Sequence, residues 1–313
     1  MTSNRMKWRR RILRSLLGLF GLVVLVVILF AVNGMLLAAG EAAQAGRSED
    51  VESFASSEPP AEVTIVAYNV AKGWAPKGGA SFHDSATVEG RLRKMADAIR
   101  AERPDLIFLS EIMTECTPCP VDQVKFLARE LEMPYWAFGE NYNFGLPFYR
   151  VVGGNAILSR FPLSPVANPS LIGRKPFYET KNSRRSLFAS LEVRGKTVLL
   201  GSLHNDSYDI ANNSAHVRQL LEFIGDRPCV LAGDFNAKPQ DEPIQLILKS
   251  KQFAGAFDGP PTYPADKPDQ RIDFVLAPSD WEHVETRVLD STASDHRPMV
   301  ARFRTSRSTG TIP

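Results

Sequence analysis

The stretch "VLAGDFNAKP", residues 230 to 239, decides how the rest of the chain is read. Apolar residues run into Gly233, and Asp234 and Asn236 follow with Phe235 between them. A short apolar run bounded by turn residues reads as a buried strand. In an extended chain residues i and i+2 point to one face, so Asp234 and Asn236 aim together past the strand's end. Gly, Asp and Asn also build ordinary turns. The stretch by itself therefore allows either a turn or half of a polar site.

The same pattern recurs along the chain. Asn69 ends "TIVAYN", Glu111 ends "LIFLSE" and His204 ends "VLLGSLH". Asp273 lies inside "RIDFVLA", and Asp295 and His296 stand in "ASDHRP". Helical periodicity intervenes: "TVEGRLRKMADAIRAE" (87 to 102) sets Leu92, Met95, Ala96 and Ile99 on one face. Further helices are expected at 121 to 132, 214 to 225 and near 242 to 250. Strands are expected at 63 to 70, "DLIFLSE", "GGNAILS", "SLFASLEV", "TVLLGSLH", "PCVLAGDF", "RIDFVLA", "TRVLD" and "PMVARFR". Strands interleaved with helices, together with strands that follow one another directly, predict a mixed-sheet α/β domain. If the strand ends align, their carboxylates, amides and imidazoles form one rim, where ligands of α/β sheets gather.

In this order, "AYNV", "LSE", "GNAILS", "SLHND", "GDFN", "RIDF" and "SDHRP" resemble the endonuclease/exonuclease/phosphatase (deoxyribonuclease I-like) superfamily, over about residues 63 to 304. The resemblance implies a two-sheet α/β sandwich flanked by helices and hydrolysis of phosphoric esters. It also implies a divalent metal, magnesium with manganese as the alternative. Glu111 would be the main metal ligand, a hard carboxylate for a hard cation, with Asn69 beside it and Asp295 assisting. Asp234 would orient and deprotonate the attacking water, and Asn236 would donate to a phosphoryl oxygen. Asp273 would hold a protonated His296 against the phosphate. His204 matches the position that contacts phosphate or protonates the leaving oxygen. Arg184 or Arg185, of which Arg185 is the one assigned, and Asn155 of "GNAILS" would touch the substrate phosphate; a solvated basic pair is the alternative for the arginines. His83, His216 and His283 match no motif and read as structural or surface residues.

The N-terminus is organised differently. Residues 1 to 14 carry six basic groups and no acid, and residues 15 to 40 carry no charge. These 26 residues make a helix of about 39 Å, enough for a hydrocarbon core of roughly 30 Å. They read as a transmembrane anchor, with a signal sequence cleaved after "AQA" (43 to 45) as the alternative. In both cases the basic flank stays cytoplasmic and the C-terminal bulk is exported. Residues 41 to 62, small, acidic and Pro-containing, read as a flexible linker. The catalytic domain spans 63 to 304, and 305 to 313 form a tail.

Residues 63 to 313 hold 30 basic and 29 acidic groups, so the domain lacks the basic excess of many nucleic-acid binders. Three cysteines make no disulfide framework, although Cys116 and Cys119 could close a small loop. Seven of the 29 aromatic residues fall within 132 to 150. Tyr135, Trp136 and Phe138 are expected in a core strand, and Tyr142, Phe144, Phe148 and Tyr149 in a loop that could stack bases or touch lipid. "NDS" at 205 and "NNS" at 212 are glycosylation acceptor patterns. The expected substrate is a phosphodiester, either nucleic acid or a phospholipid head group. An inactive, membrane-tethered binding domain is the minor alternative.

Overall fold

The computed structural model describes residues 2–35, 40–52, 58–73, 83–146, 149–174 and 183–306. Thirteen strands and five α-helices are described, in the order α1 (Thr2–Met35), β1 (Gln44–Arg47), β2 (Glu62–Asn69), α2 (Ser85–Arg100), β3 (Leu106–Cys116), α3 (Gln123–Glu130), β4 (Tyr135–Leu146), β5 (Tyr149–Ser159), β6 (Ser164–Ala167), β7 (Leu187–Val193), β8 (Lys196–His204), α4 (Ile210–Ile224), β9 (Cys229–Asp234), α5 (Glu242–Ser250), β10 (Phe253–Ala254), β11 (Asp273–Pro278), β12 (Glu282–Val288) and β13 (Met299–Arg304).

The strands form two mixed sheets, ordered β1-β4-β5-β3-β2-β13-β12 and β10-β11-β9-β8-β7-β6. Alternation along each strand explains the layering. In β2, Ile65 and Ala67 face the other sheet while Val66 and Tyr68 face outward. Between the sheets, Ile65, Phe108 and Ile157 of the first meet Leu200, Val230 and Val275 of the second. Outside the first sheet lie α2 and α3, packed through Leu92, Met95, Ile99, Val124 and Leu127. Outside the second lie α4 and α5, packed through Leu220, Ile224, Ile244 and Ile247. The result is the four-layer, two-sheet α/β sandwich expected from the sequence. The α2 face Leu92, Met95, Ala96, Ile99 is buried as its periodicity predicts, and Asp84 caps the helix by accepting from Thr87 N at 2.9 Å.

Chain direction brings the polar strand ends to one rim. The pairs β2/β3 and β8/β9 are parallel, so Asn69, His204 and Asp234 lie at corresponding ends; Glu111 follows Ser110, the partner of Asn69, and lies within β3, which runs on to Cys116 rather than ending there. The antiparallel strands β11 and β13 begin where those strands end: Asp273 is opposite Asp234, and Met299 opposite Ala67. Asp273 thus starts its strand rather than lying within it, and "SDH" of 294 to 296 leads into β13 at the same rim.

Two expectations are corrected. The segment 41 to 62 is not a loose tether throughout, because β1 pairs with β4 and closes the edge of the first sheet. Gly46 permits this: a Cβ there would sit 2.4 Å from the Trp136 ring. The aromatic residues expected in a loop lie on strands instead, Tyr142 and Phe144 on β4 and Tyr149 on β5, which pair as a long hairpin. Backbone pairing outweighs the turn propensity of the interspersed Gly and Asn. Phe148 and the tail beyond residue 306 lie outside the described residues.

Within α1, Met6–Asn33 is long and apolar enough to cross a membrane. Cys116 and Cys119 are free, buried thiols.

Candidate active site

The rim surrounds a cleft of about 1540 Å³ lined by Glu111, His204, Asp234, Asn236, Asp295 and His296 among others. Backbone irregularities aim the key groups into it. β3 carries a bulge between Leu109 and Ile112, and within it Glu111 adopts a left-handed φ of 54°. A bulge re-aims a side chain that regular pleating would turn away. Asn236 is likewise left-handed, at φ 48°, and such strain gathers at functional sites. At Gly233 (φ 135°) a Cβ would lie 2.4 Å from Leu203 O, so glycine is required for β9 to approach β8 here.

Asp234 is the hub. Its Oδ1 accepts from Asn236 N at 2.9 Å and its Oδ2 from Asn69 Nδ2 at 3.0 Å. His204 Nε2 and His296 Nε2 both lie 3.6 Å from Oδ2. Burial raises the carboxyl's pKa; His296 opposes the rise and Asp273 reinforces it. The outcome is a carboxylate more basic than an exposed one.

The two imidazoles are in opposite states. His204 Nδ1 meets Arg184 Nη1 at 2.5 Å. Arginine can only donate, so Nδ1 is the acceptor and the ring proton sits on Nε2, facing Asp234 and Glu111. Burial, with Arg184 adding to it, drives the His204 pKa down to about 4. His296 Nδ1 instead donates to Asp273 Oδ2 at 2.9 Å. Burial opposes its charge, but Asp273 and Asp234 outweigh it and raise the pKa to about 10. At neutral pH His204 is a neutral donor and His296 an imidazolium. The ring of Tyr263 packs on His296, centroids 4.7 Å apart.

Glu111 lies beside this pair. One oxygen pairs with the Lys72 ammonium, and the other is 3.4 Å from Asn69 Nδ2 and 3.5 Å from His204 Nε2. Burial works against its charge, and His204 and Lys72 overcome it, keeping the carboxyl below the usual range. Since His204 is neutral near pH 7, Lys72 is the partner that counts there. Asp295, at the same wall, is raised by burial and further by Glu111, with His296 opposing. A carboxylate that already holds an ammonium, with another carboxylate and an amide beside it, offers the hard oxygen donors that a divalent cation such as magnesium takes. The atoms of Asp234, Asp273 and His296 also lie within 4.8 Å of one another. That trio is a poorer cation site, because both ring nitrogens of an imidazolium carry protons and ligands must be deprotonated.

Other expected residues fall elsewhere. Arg185 does not line the cleft: it is buried, and its Nη1 donates to Asn168 O at 3.0 Å. Its neighbour Arg184 takes the cleft position, since successive residues of extended chain face opposite ways. Asn155 is also buried, and its Nδ2 donates to Arg185 O at 3.0 Å and Ser202 O at 3.4 Å, tying the two sheets together behind the site. Asn236 lines the cleft but gives one amide proton to Asn205 O at 3.1 Å. Asn205 itself is buried, with Nδ2 on Asn213 Oδ1 at 3.1 Å, and is inaccessible to a glycan. His216 is buried at the cleft wall, its pKa pushed down to about 4 chiefly by burial; His283 bonds Thr286 Oγ1 at 2.8 Å.

Lys72, Asn213 and Tyr263 were not foreseen at the site, and Tyr142, expected on a loop that stacks bases or touches lipid, lines the cleft from β4. Asn213 donates to Phe235 O at 2.7 Å and Asn236 O at 3.2 Å, bracing the "GDFN" turn from α4. A residue of helical spacing carries no signal of such a role; Lys72, three residues after Asn69, could have been weighed as a cation beside the acidic rim.

The endonuclease/exonuclease/phosphatase family model matches residues 66–296. No curated protein matches the chain. Among solved structures, an endonuclease/exonuclease/phosphatase from Beutenbergia cavernae is similar at 23% identity and TM-score 0.64, covering 78% of this chain and 72% of that one. A mannosyl-6-phosphatase from Bacteroides thetaiotaomicron is similar at 16% identity and TM-score 0.55, covering 77% and 99%. A humanized D. rerio TDP2 is similar at 17% identity and TM-score 0.54, covering 79% and 100%. The matched segment takes in every rim element from β2 to the loop before β13, and on it the chain belongs to the endonuclease/exonuclease/phosphatase family.

Proposed function

We propose that the protein is a divalent-metal-dependent phosphoric ester hydrolase, anchored by α1 and working on the extracytoplasmic side, in which water attacks phosphorus in line. The observation that carries this reading is the hub: one basic carboxylate, Asp234, between a neutral imidazole and an imidazolium.

Asp234 orients the water and accepts its proton, held for that task by Asn69 Nδ2 and Asn236 N. His296, kept charged by Asp273, donates to a phosphoryl oxygen on which charge accumulates. His204 presents its Nε2 proton to the leaving oxygen or to a second phosphoryl oxygen, its tautomer fixed by Arg184. Glu111 would hold the metal, with Asn69 and Asp295 beside it, and Lys72 would yield its place on the carboxylate. A divalent cation held there, magnesium by the resemblance, would supply Lewis acidity toward the phosphoryl group. Two uncharged or cationic donors and a basic carboxylate on one cleft wall complete what a water-attack mechanism asks of side chains, with no covalent enzyme intermediate.

The anchor is supported by the six basic residues before α1's apolar run, which favour retention of that end in the cytoplasm. The test is hydrolysis of bis-p-nitrophenyl phosphate and p-nitrophenyl phosphate by the purified full chain with magnesium, with EDTA, and as Asp234→Asn. The isosteric variant keeps the shape of the side chain but has one acceptor oxygen where the carboxylate has two, so it retains one of the hydrogen bonds from Asn236 N and Asn69 Nδ2 and cannot take the proton. Turnover is expected to fall by about 10³-fold or more. Undiminished turnover in Asp234→Asn would contradict the assignment.

A further inference from the structure

We infer that the cleft opens onto the outer leaflet of the bilayer crossed by α1, and that its substrate is a phosphoester carried by a lipid of that leaflet. The reaction rests on the hydrolase reading above; the location rests on separate observations.

Arg14 and Asn33 are 19 residues apart, about 28 Å along a helix, which matches a hydrocarbon core of roughly 30 Å. With Arg9, Arg10, Arg11 and Arg14 held at one interface, Asn33 emerges at the other. There its Oδ1 accepts from Gly145 N at 2.5 Å, at the tip of the β4–β5 hairpin. The hairpin tip is thereby pinned to the outer surface of the membrane.

The cleft mouth lies at the same place. Val26, Leu29 and Phe30 of α1 form part of its wall. From Val26 to Asn33 the helix covers about 10 Å, comparable with the roughly 5–10 Å to which interfacial elements enter a bilayer. Three further residues line the mouth from unrelated parts of the chain: Phe144 on β4, Ile172 after β6 and Tyr208 before α4. They are 41%, 55% and 95% exposed. Single exposed apolar side chains are ordinary. These three share one opening, and that opening borders the outer end of the membrane span.

The cleft is therefore amphiphilic along its depth. Its floor carries the buried His204 and Asp234 with Glu111 and Arg184 beside them, and its exposed lining sets Phe144, Ile172 and Tyr208 among the polar Arg174 and Ser207. A lipid fits both ends, its phosphate on the floor and its chains passing Val26 and Phe30 into the bilayer. A polynucleotide would leave that apolar wall unused, and the domain's near-balanced charge gives its backbone little long-range attraction.

Two measurements on the intact full chain, reconstituted in phosphatidylcholine/phosphatidylglycerol vesicles, test this. The first is depth. Native thiols are all buried, so a bimane label on Tyr208→Cys reports the mouth, and one on Lys196→Cys reports the far end of β8. Shallow doxyl lipids should quench the first label and spare the second, with aqueous iodide doing the reverse. Equal iodide quenching of both labels would overturn the placement, as would loss of the residues before position 46 in the mature chain.

The second is preference. Hexadecyl p-nitrophenyl phosphate in vesicles is compared with methyl p-nitrophenyl phosphate in solution, and phosphatidic acid with glycerol 3-phosphate. At least one bilayer ester should exceed its soluble counterpart by about 100-fold or more in kcat/KM, and Ile172→Glu with Tyr208→Glu should cut that ratio at least tenfold. Equal turnover of the soluble partners, or faster cleavage of supercoiled plasmid, would overturn the substrate class. No turnover of any ester would sink the hydrolase reading and the substrate class with it, while depth quenching would still decide where the cleft opens.

Discussion

On either side of Asp234 stands a buried imidazole whose Nε2 lies 3.6 Å from the same oxygen, and the two rings differ in what holds the far nitrogen. Behind His204 is the Arg184 guanidinium; behind His296 is the Asp273 carboxylate. Burial lowers both pKa values. The guanidinium adds to that drop and the carboxylates reverse it, so one ring settles at about 4 and the other at about 10. The contrast teaches that the partner across the ring, rather than the shared carboxylate, sets the charge of each imidazole.

Asp234→Asn, described above, has the largest expected effect, because it removes the carboxylate that both rings face. Next comes Asp273→Asn. His296 should then lose its proton well below pH 10, and turnover at neutral pH should fall about 10²-fold, with the alkaline limb of the pH–rate profile moving down. An unmoved limb would show that another group sets it. Arg184→Ala frees His204 Nδ1: the His204 pKa should rise above about 4 and turnover should drop about tenfold. Arg185→Ala one position on should instead lower the melting temperature, because that guanidinium is buried against Asn168 O. Smallest is Asn155→Ala, expected to cost about 1–3 kcal/mol in denaturant unfolding by deleting two buried inter-sheet hydrogen bonds.

Stability should carry the same signature. His204, lowered in the folded state, favours folding above its ordinary value of 6.5 and forfeits that contribution as pH falls toward 4. His296, raised, contributes fully below 6.5 and loses its share as pH climbs through about 10. The two rings thus bracket a neutral optimum from opposite sides.

The rim was legible in the sequence because each strand announces its end with a polar residue after an apolar run, and period-2 alternation names which residues leave the sheet together. Asn69, His204 and Asp234 are of that kind; Glu111 follows an apolar run but sits in a bulge within β3, and His296 was legible through "SDHRP" in the loop before β13. What escaped depends on partners distant in sequence. Nothing local distinguishes Arg184 from Arg185; facing residues on β8 and β5 decide which one meets His204. Asn155 carries a motif yet serves the sheet contact, since a buried amide between two layers goes to the nearest carbonyls. The strand β1 has the composition of a linker and becomes ordered by the open edge of β4. Likewise α1's apolarity is plain from composition, whereas its place beside the cleft rests on partners distant in sequence, among them Gly145, whose N donates to Asn33 Oδ1.

The central claim is the opposed protonation of the two imidazoles, and nitrogen-detected NMR titration of ring-labelled full chain tests it most directly. His204 should stay neutral, with its proton on Nε2, down to about pH 4, and His296 should stay doubly protonated up to about pH 10. Two rings titrating together near their ordinary value of 6.5 would contradict it.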